Sequence, residues 1–295
     1  MSGDLDVLLD GMTGGERVAE VPVSEHAIRT WCAAIGETDP RCFGPDAVAP
    51  PAMLQTWTMP ISGRENRPTL HARVRTAARE AGLGAVVATN YDQEYLRPVR
   101  PGMLLRERSW IEAVSPPKDT ALGRGRFVTI GFEVGDDDGP VGRMRARTLY
   151  FDPAPARRAP AGRPEPAPGA HEPLVVPMSR TLIVSASLAS NDHEPVHHDH
   201  EVAHAQGLTD IIASIVTTAG LVQRYAGALV PKGRCTALRL RLALPCFPGD
   251  ELVLRGRTKP VGGSCAVTVT GDHARGRHVS AEVAYDRGPG PEGTP

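Results

Sequence analysis

The chain of 295 residues is 41% apolar and 23% charged, and 33 Lys and Arg stand against 34 Asp and Glu for a net charge of -1. That composition excludes wholesale disorder, and the balanced charge excludes nucleic acid as the main partner, because no cation surplus exists to neutralise a phosphate backbone. The length is about twice a typical domain of ~100–200 residues, so two domains are expected.

The N-terminus, MSGDLDVLLDGMTGG, is acidic and lacks the basic start and apolar run of a secretory signal. No stretch of roughly 20 apolar residues could span a bilayer. A cytoplasmic protein without a membrane partner is therefore expected. Next, SEHAIRTWCAAIG sets Ala27, Ile28, Trp31, Cys32 and Ile35 on one helical face, with Ser24 as the N-cap. Strand-like alternation then marks LLRERSWIEAV, RFVTIGFEV and GRMRARTLYF. The proline density from about residue 152 to 177 suits neither a helix nor a central strand and reads as a semi-extended linker. Beyond it, Asp210–Tyr225 is apolar nearly all round and reads as a buried helix starting at Asp210. The runs CTALRLRLAL, ELVLRGRT, CAVTVTGD and HVSAEVAYD follow as strands, and residues 286–295 read as a frayed tail.

The two parts repeat one plan. Each has a polar loop ending in proline, at Pro40 and Pro195, 155 positions apart. Each also has a Pro-x-x-Pro-Gly turn before a strand, with Gly102 and Gly249 147 positions apart. A duplicated α+β domain is expected, with an antiparallel sheet packed on a central helix: residues 1–151 and 178–285.

Chemistry concentrates in Ser190–His204, which holds Asp192, His193, Glu194, His197, His198, Asp199, His200, Glu201 and His204 beside apolar elements. Such groups suit acid–base work, although Asp192 or Asp199 could equally cap a helix. His193, His197, His200 and His204 have spacings that could gather imidazoles on one helix face, but Pro195 interrupts them and no second cluster completes a set. No metal and no cofactor are predicted. The five cysteines (Cys32, Cys42, Cys235, Cys246, Cys265) form no CxxC pair and read as reduced structural thiols.

Asp192-x-x-Pro195-Val196-His197, with Ala203 and Gly207 downstream, resembles the hydratase motif of the MaoC-like (R)-specific enoyl-CoA hydratases. The stretch from Val196 to Tyr225 is most similar to hydratase subunits acting on steroid side-chain enoyl-CoA thioesters. In the first part, AVAPPAMLQTW and the Pro98–Gly102 turn resemble the N-terminal domain of the same family. The resemblance implies a double hot-dog, two antiparallel sheets each wrapped around a long central helix. It also implies reversible hydration of a 2-enoyl thioester to the (3R)-3-hydroxyacyl thioester, with Asp192 and His197 sharing a water. The backbone N–H of Ile215 would meet the thioester oxyanion at a helix N-terminus. Two positions depart from the family pattern: Glu194 replaces the usual asparagine, and Ile212-Ala213-Ser214-Ile215 replaces Ile-Ala-His-Gly.

In the first part the matching place reads Thr38-Asp39-Pro40-Arg41-Cys42-Phe43, with the aspartate moved next to the proline and no histidine following. That copy is expected to be catalytically silent and to wall an acyl tunnel with Met53, Leu54, Trp57 and Met59, residues that ordinary core packing would also explain. Ser214 is a further substrate-binding candidate. Arg224, Lys232 and Arg234 either meet a CoA or carrier-protein phosphate or are solvated surface charges. The expected partner is a bulky acyl-CoA or acyl-carrier-protein thioester, and the family habit implies a homodimer. Two alternatives stay open: a dehydratase or cyclising enzyme on a carrier-bound polyketide-type intermediate, and a non-catalytic subunit that binds acyl thioesters.

Overall fold

The computed structural model describes residues 4–61, 68–153 and 171–287. The first half contains α1 (Leu5–Leu9), β1 (Thr13–Val18), α2 (Glu25–Ile35), α3 (Leu70–Glu80), β2 (Ala85–Tyr95), β3 (Arg106–Val114), β4 (Lys118–Thr120), β5 (Gly123–Asp136) and β6 (Gly139–Pro153). The second contains β7 (Leu174–Pro177), α4 (Arg180–Ala189), α5 (His200–Ala205), α6 (Ile215–Leu229), β8 (Gly233–Leu242), β9 (Glu251–Val261), β10 (Ser264–His273) and β11 (Gly276–Arg287). Among the described residues, no helix is long and apolar enough to cross a membrane.

The eleven strands among the described residues join one antiparallel sheet in the order β1-β3-β5-β6-β2-β8-β11-β10-β9-β7, with β4 paired to β5. The order is a palindrome: β2 matches β8, β6 matches β11, β5 matches β10, β3 matches β9 and β1 matches β7. The expected two hot-dog sheets are thus fused through β2 and β8, where Tyr91 faces Leu240 and Gln93 faces Leu238. Period-2 alternation explains which face is inward: Tyr91, Gln93 and Tyr95 are buried along β2, as are Leu238 and Leu240 along β8. Helix α6 lies in this concavity with ten of its 15 residues buried, which is why it is apolar nearly all round.

The repeat reaches individual hydrogen bonds. Ser24 and Ser179 cap α2 and α4 by accepting from Ala27 and Leu182 N–H. The N–H of Gly102 donates to the Val23 carbonyl at 2.8 Å, and that of Gly249 to the Met178 carbonyl at 2.8 Å. Both turns need a left-handed residue, with φ of 90° at Gly102 and 88° at Gly249, and glycine supplies it without steric penalty.

Three expectations need correction. The segment assigned to the linker contains β7, which adds to β9 as an edge strand where Pro177 is tolerated; residues 154–170, most of that segment, lie outside the described residues. The tail begins later, because β11 continues through Asp286 to Arg287; residues 288–295 also lie outside. Finally, among the described residues the first half has no counterpart of α6 in length. After Pro50 the chain makes a 3-10 turn at Pro51–Met53 and further turns, and α3 follows later.

Candidate active site

The motif loop begins where α4 ends. Its capping residue Ser190 turns its hydroxyl back to the Ala186 and Ser187 carbonyls, each at 2.9 Å. Asn191 takes φ of 55°, a left-handed conformation that asparagine tolerates better than most side chains. Its amide donates to the Thr56 carbonyl of the first half at 3.2 Å. The reversal brings the Asp192 N–H to the Ser187 carbonyl at 3.0 Å, and the Ser187 hydroxyl donates to the Asp192 carbonyl. Pro195 then opens a 3-10 turn over Pro195–His197, which points the imidazole back toward Asp192.

His197 Nδ1–H donates to the Ile212 carbonyl at 2.8 Å. A carbonyl cannot donate, so this bond fixes the tautomer and leaves the lone pair of the neutral ring on Nε2. Nε2 faces Asp192 Oδ2 at 3.6 Å, with side chains 12% and 9% exposed respectively. That separation is too long for a direct hydrogen bond. It admits a bridging water at about 2.8 Å from each atom.

The same bond ties the imidazole to the segment that delivers α6. Ile212 N–H donates to the Val196 carbonyl at 3.1 Å and Ala213 N–H to the Cys246 carbonyl at 3.0 Å. Residues 211–213 therefore lie outside the helix. The N-cap of α6 is Ser214, whose hydroxyl accepts from Thr217 N–H at 3.0 Å. The expected start at Asp210 is corrected: its carboxylate pairs with Arg180 at 2.6 Å. The Ile215 and Val216 N–H groups, in the first turn, have no intrahelical acceptor.

Beneath this turn is a buried histidine that the sequence did not single out. His278 places Nδ1 at 2.7 Å from the Leu244 carbonyl and Nε2 at 3.0 Å from Thr218 Oγ1. Burial is the main cause of a pKa lowered to about 4, so the ring is neutral and Nδ1 donates, while the Thr218 hydroxyl beside Nε2 also reaches the Ser214 carbonyl at 3.0 Å. A histidine whose folded pKa lies below its unfolded value favours the folded state above 6.5 and loses that contribution as pH falls toward about 4. Urea midpoints should accordingly fall between pH 7 and 4.5, and the fall should be smaller in His278→Gln. Equal falls in both proteins would remove His278 as the cause.

Several other polar groups of the cluster are bonded locally. Asp199 caps α5, accepting from Glu201 and Val202 N–H at 2.9 and 3.1 Å. His198 and His204 bond the carbonyls of His193 and Thr209, and His200 stacks on His204 with ring centroids 4.0 Å apart. Among the described residues, no three His, Cys, Asp or Glu side chains are grouped to hold a metal. Glu194 is clamped by Arg75 of α3, whose Nη1 lies 2.7 and 2.8 Å from the two carboxylate oxygens. Nothing in the sequence marks that partner, 119 positions away.

Of the proposed substrate-binding residues, Ser214 is buried at the head of α6. Met53 and Leu54 belong to the core, while Trp57 is half-buried beside Thr56, the residue that receives Asn191. Arg224 is not brought to this group. It lies within α6, and its guanidinium donates to the Ile35 carbonyl at the end of α2 at 2.7 Å. Arg234 pairs with Asp286 at 2.5 Å.

The loop of the first half differs from its expected reading. The bond from Glu37 N–H to the Cys32 carbonyl, at 2.8 Å, repeats that from Asp192 to Ser187. Glu37, not Asp39, thus occupies the place of Asp192, and Asp39 that of Glu194. Glu37 spends a carboxylate oxygen on the Thr38 and Asp39 N–H groups, and Asp39 pairs with Arg41 at 2.5 Å. Where His197 would stand is Cys42, a buried thiol whose pKa is raised by its contact with Cys32 and by burial.

Comparison with known proteins agrees with this architecture. Residues 167–274 match the model of the MaoC like domain, and residues 13–142 that of the FAS1-like dehydratase domain region. The chain is 38% identical over 150 residues to the 3-oxo-4,17-pregnadiene-20-carboxyl-CoA hydratase alpha subunit of Mycobacterium tuberculosis, covering 47% of this chain and 48% of that protein. It is 34% identical over 176 residues to a probable enoyl-CoA hydratase alpha subunit of Thermomonospora curvata, covering 53% and 55%. The chain thus spans about half the length of these two relatives. Against the beta subunit of the M. tuberculosis hydratase it is 40% identical over 105 residues, 35% of this chain and 81% of that one. The crystal structure of a MaoC-like dehydratase from Phytophthora capsici shares the fold with a TM-score of 0.71 at 18% identity, over 97% of this chain and 98% of that one. A duplicated hot-dog sheet, a motif loop that sets aspartate against histidine, and a relative aligned over most of its length lead to one conclusion: the chain belongs to the MaoC-like family.

Proposed function

We propose that the protein adds water reversibly across the double bond of a 2-enoyl thioester, giving a (3R)-3-hydroxyacyl thioester, with Asp192 and His197 as the acid–base pair. The observation that carries this reading is the 3.6 Å separation of His197 Nε2 and Asp192 Oδ2, two acceptors close enough to share one water. A water held there donates one proton to each acceptor and directs an oxygen lone pair outward. As its oxygen bonds to C3 of the enoyl group, the π pair moves toward C2 and onto the thioester oxygen. One water proton passes to the pair, and one proton is returned to C2. The Ile215 N–H at the head of α6 would receive the oxyanion with the helix dipole behind it. Only a main-chain donor is needed, so the isoleucine side chain does not preclude the role.

The relatives' names support a bulky acyl-CoA as substrate, since both M. tuberculosis subunits are named for a pregnadiene carboxyl-CoA. Those names also support assembly with a further subunit or a second copy of this chain. The first half, with Glu37 spent and Cys42 buried, supplies no second acid–base pair. The test is loss of enoyl absorbance on a panel of trans-2-enoyl-CoA thioesters from short linear to polycyclic, with chiral analysis of the product. Hydration favouring bulky members and giving the (3R) alcohol is expected. Binding of the panel without turnover in either direction would defeat the reading.

A further inference from the structure

Tyr150 on β6 is 1% exposed, and its hydroxyl is buried without a hydrogen-bond partner. A buried donor left unpaired is unfavourable, and in a native fold it calls for a physical reason. Its ring lies 6.4 Å, centroid to centroid, from the imidazole of His71 on α3, which makes no hydrogen bond of its own among the described residues. Burial lowers the His71 pKa, so the ring offers one N–H donor and one lone pair.

The direction of this pair follows from α3. His71 stands one turn before Arg75 and shares its helix face, and Arg75 grips Glu194, two residues from Asp192. The face that carries His71 is therefore the face turned to the catalytic loop. The other half repeats the arrangement: Tyr285 on β11, the counterpart of β6, also has a buried hydroxyl without a partner. It lies within electrostatic reach of Arg41, Glu37 and Asp39, the first half's motif loop, as Tyr150 does of Arg75 and Glu194. Each half thus sets an unpaired tyrosine hydroxyl opposite the other half's loop. Only Tyr150 faces a loop with an intact aspartate–histidine pair.

We infer that Tyr150 and His71 form a polar subsite, contributed by the first half, for a neutral oxygen function, a ketone or hydroxyl, on the acyl group of the substrate. Two uncharged groups with a free O–H, a free N–H and one lone pair match such an oxygen and offer no charge to hold a carboxylate or phosphate. This inference rests on the hydratase reading, because it assumes that the acyl group lies beside Asp192. It extends that reading by requiring an oxygenated acyl group.

Calorimetric titration with octanoyl-CoA and with 5-, 6- and 7-oxo-octanoyl-CoA tests it, since these saturated thioesters bind without being hydrated. At least one oxo thioester should bind wild type about tenfold more tightly than octanoyl-CoA, and this ratio should fall close to one in Tyr150→Phe. Tyr150→Phe should unfold at a temperature no lower than wild type, because it deletes a hydroxyl that has no partner in the free protein. No oxo preference in wild type, an undiminished preference in the variant, or no binding of any of the four would overturn the inference. An oxo preference lost in Tyr150→Phe, found together with undiminished turnover in Asp192→Asn, would instead uphold the subsite and defeat the catalytic assignment.

Discussion

Asp192→Asn should lower kcat for enoyl-thioester hydration by about 10²–10⁴-fold, the usual contribution of a positioned acid–base group. The substitution keeps the side chain's size and one acceptor oxygen but removes the carboxylate proposed to take a water proton. Folding should be little affected, because the loop is held by its backbone: the Asp192 N–H bonds Ser187, and the Ser187 hydroxyl bonds the Asp192 carbonyl. His197→Ala should fall into a similar range. The double variant should lose little beyond either single one, since two groups that hold one water act as a unit. Single-turnover rates and urea midpoints measured on the same preparations separate chemistry from stability. Rates equal to wild type in either single variant would remove that residue from the mechanism.

The largest structural loss is expected at Trp31→Ala. Trp31 projects from α2 of the first half and is 0% exposed. It meets α6 of the second half at Gly220, where an added Cβ would stand 2.5 Å from its Cζ2. The glycine is there because the indole fills the space a side chain would need. Truncation opens a cavity between two helices that cannot collapse independently, at a cost of about 3–5 kcal/mol. No hydrogen bond is lost with it, since the indole N–H has no partner. Gly220→Val should destabilise the wild type by overpacking, about 1–3 kcal/mol, yet recover part of the loss in Trp31→Ala. Denaturant titration of the four proteins measures this coupling, and strictly additive effects would show that the two positions do not share one space.

Local signals in the sequence carried much of this architecture. The apolar face of α2 and its Ser24 cap, the alternation of β3, β5, β6 and β8–β11, and the aspartate and histidine of the motif loop all depend on near neighbours. The misread start of α6 has a definite cause: Ile211-Ile212-Ala213 is apolar in either conformation, and its bonds to Val196, His197 and Cys246, which keep it out of the helix, are not visible in the sequence. Strand β2 was hidden because Asn90, Asp92, Gln93 and Glu94 interrupt its apolar residues, although the strand is central and Gln93 is buried. Asp39 reads as a displaced motif aspartate because its adjacency to proline is visible in the sequence, whereas the bond from Glu37 N–H to the Cys32 carbonyl, which puts Glu37 in that place, is not. Arg75–Glu194 and His278–Thr218 join residues 119 and 60 positions apart, and no periodicity registers them.

The joining of β2 to β8 also bears on solubility. Two separate sheets, of six and five strands, would expose further edges, each a template for pairing with another chain. Fusion conceals the two longest of these and leaves β1 and β7 outermost. Both are blunt: β1 is short and irregular in register between Thr13 and Gly15, and β7 has four residues and ends on Pro177, which has no N–H to offer. A protein whose halves came apart would uncover two complementary edges, which pair over Asn90–Glu94 and Ala237–Arg241. Covalent continuity therefore guards against aggregation as well as holding Thr56 of the first half against Asn191 of the motif loop.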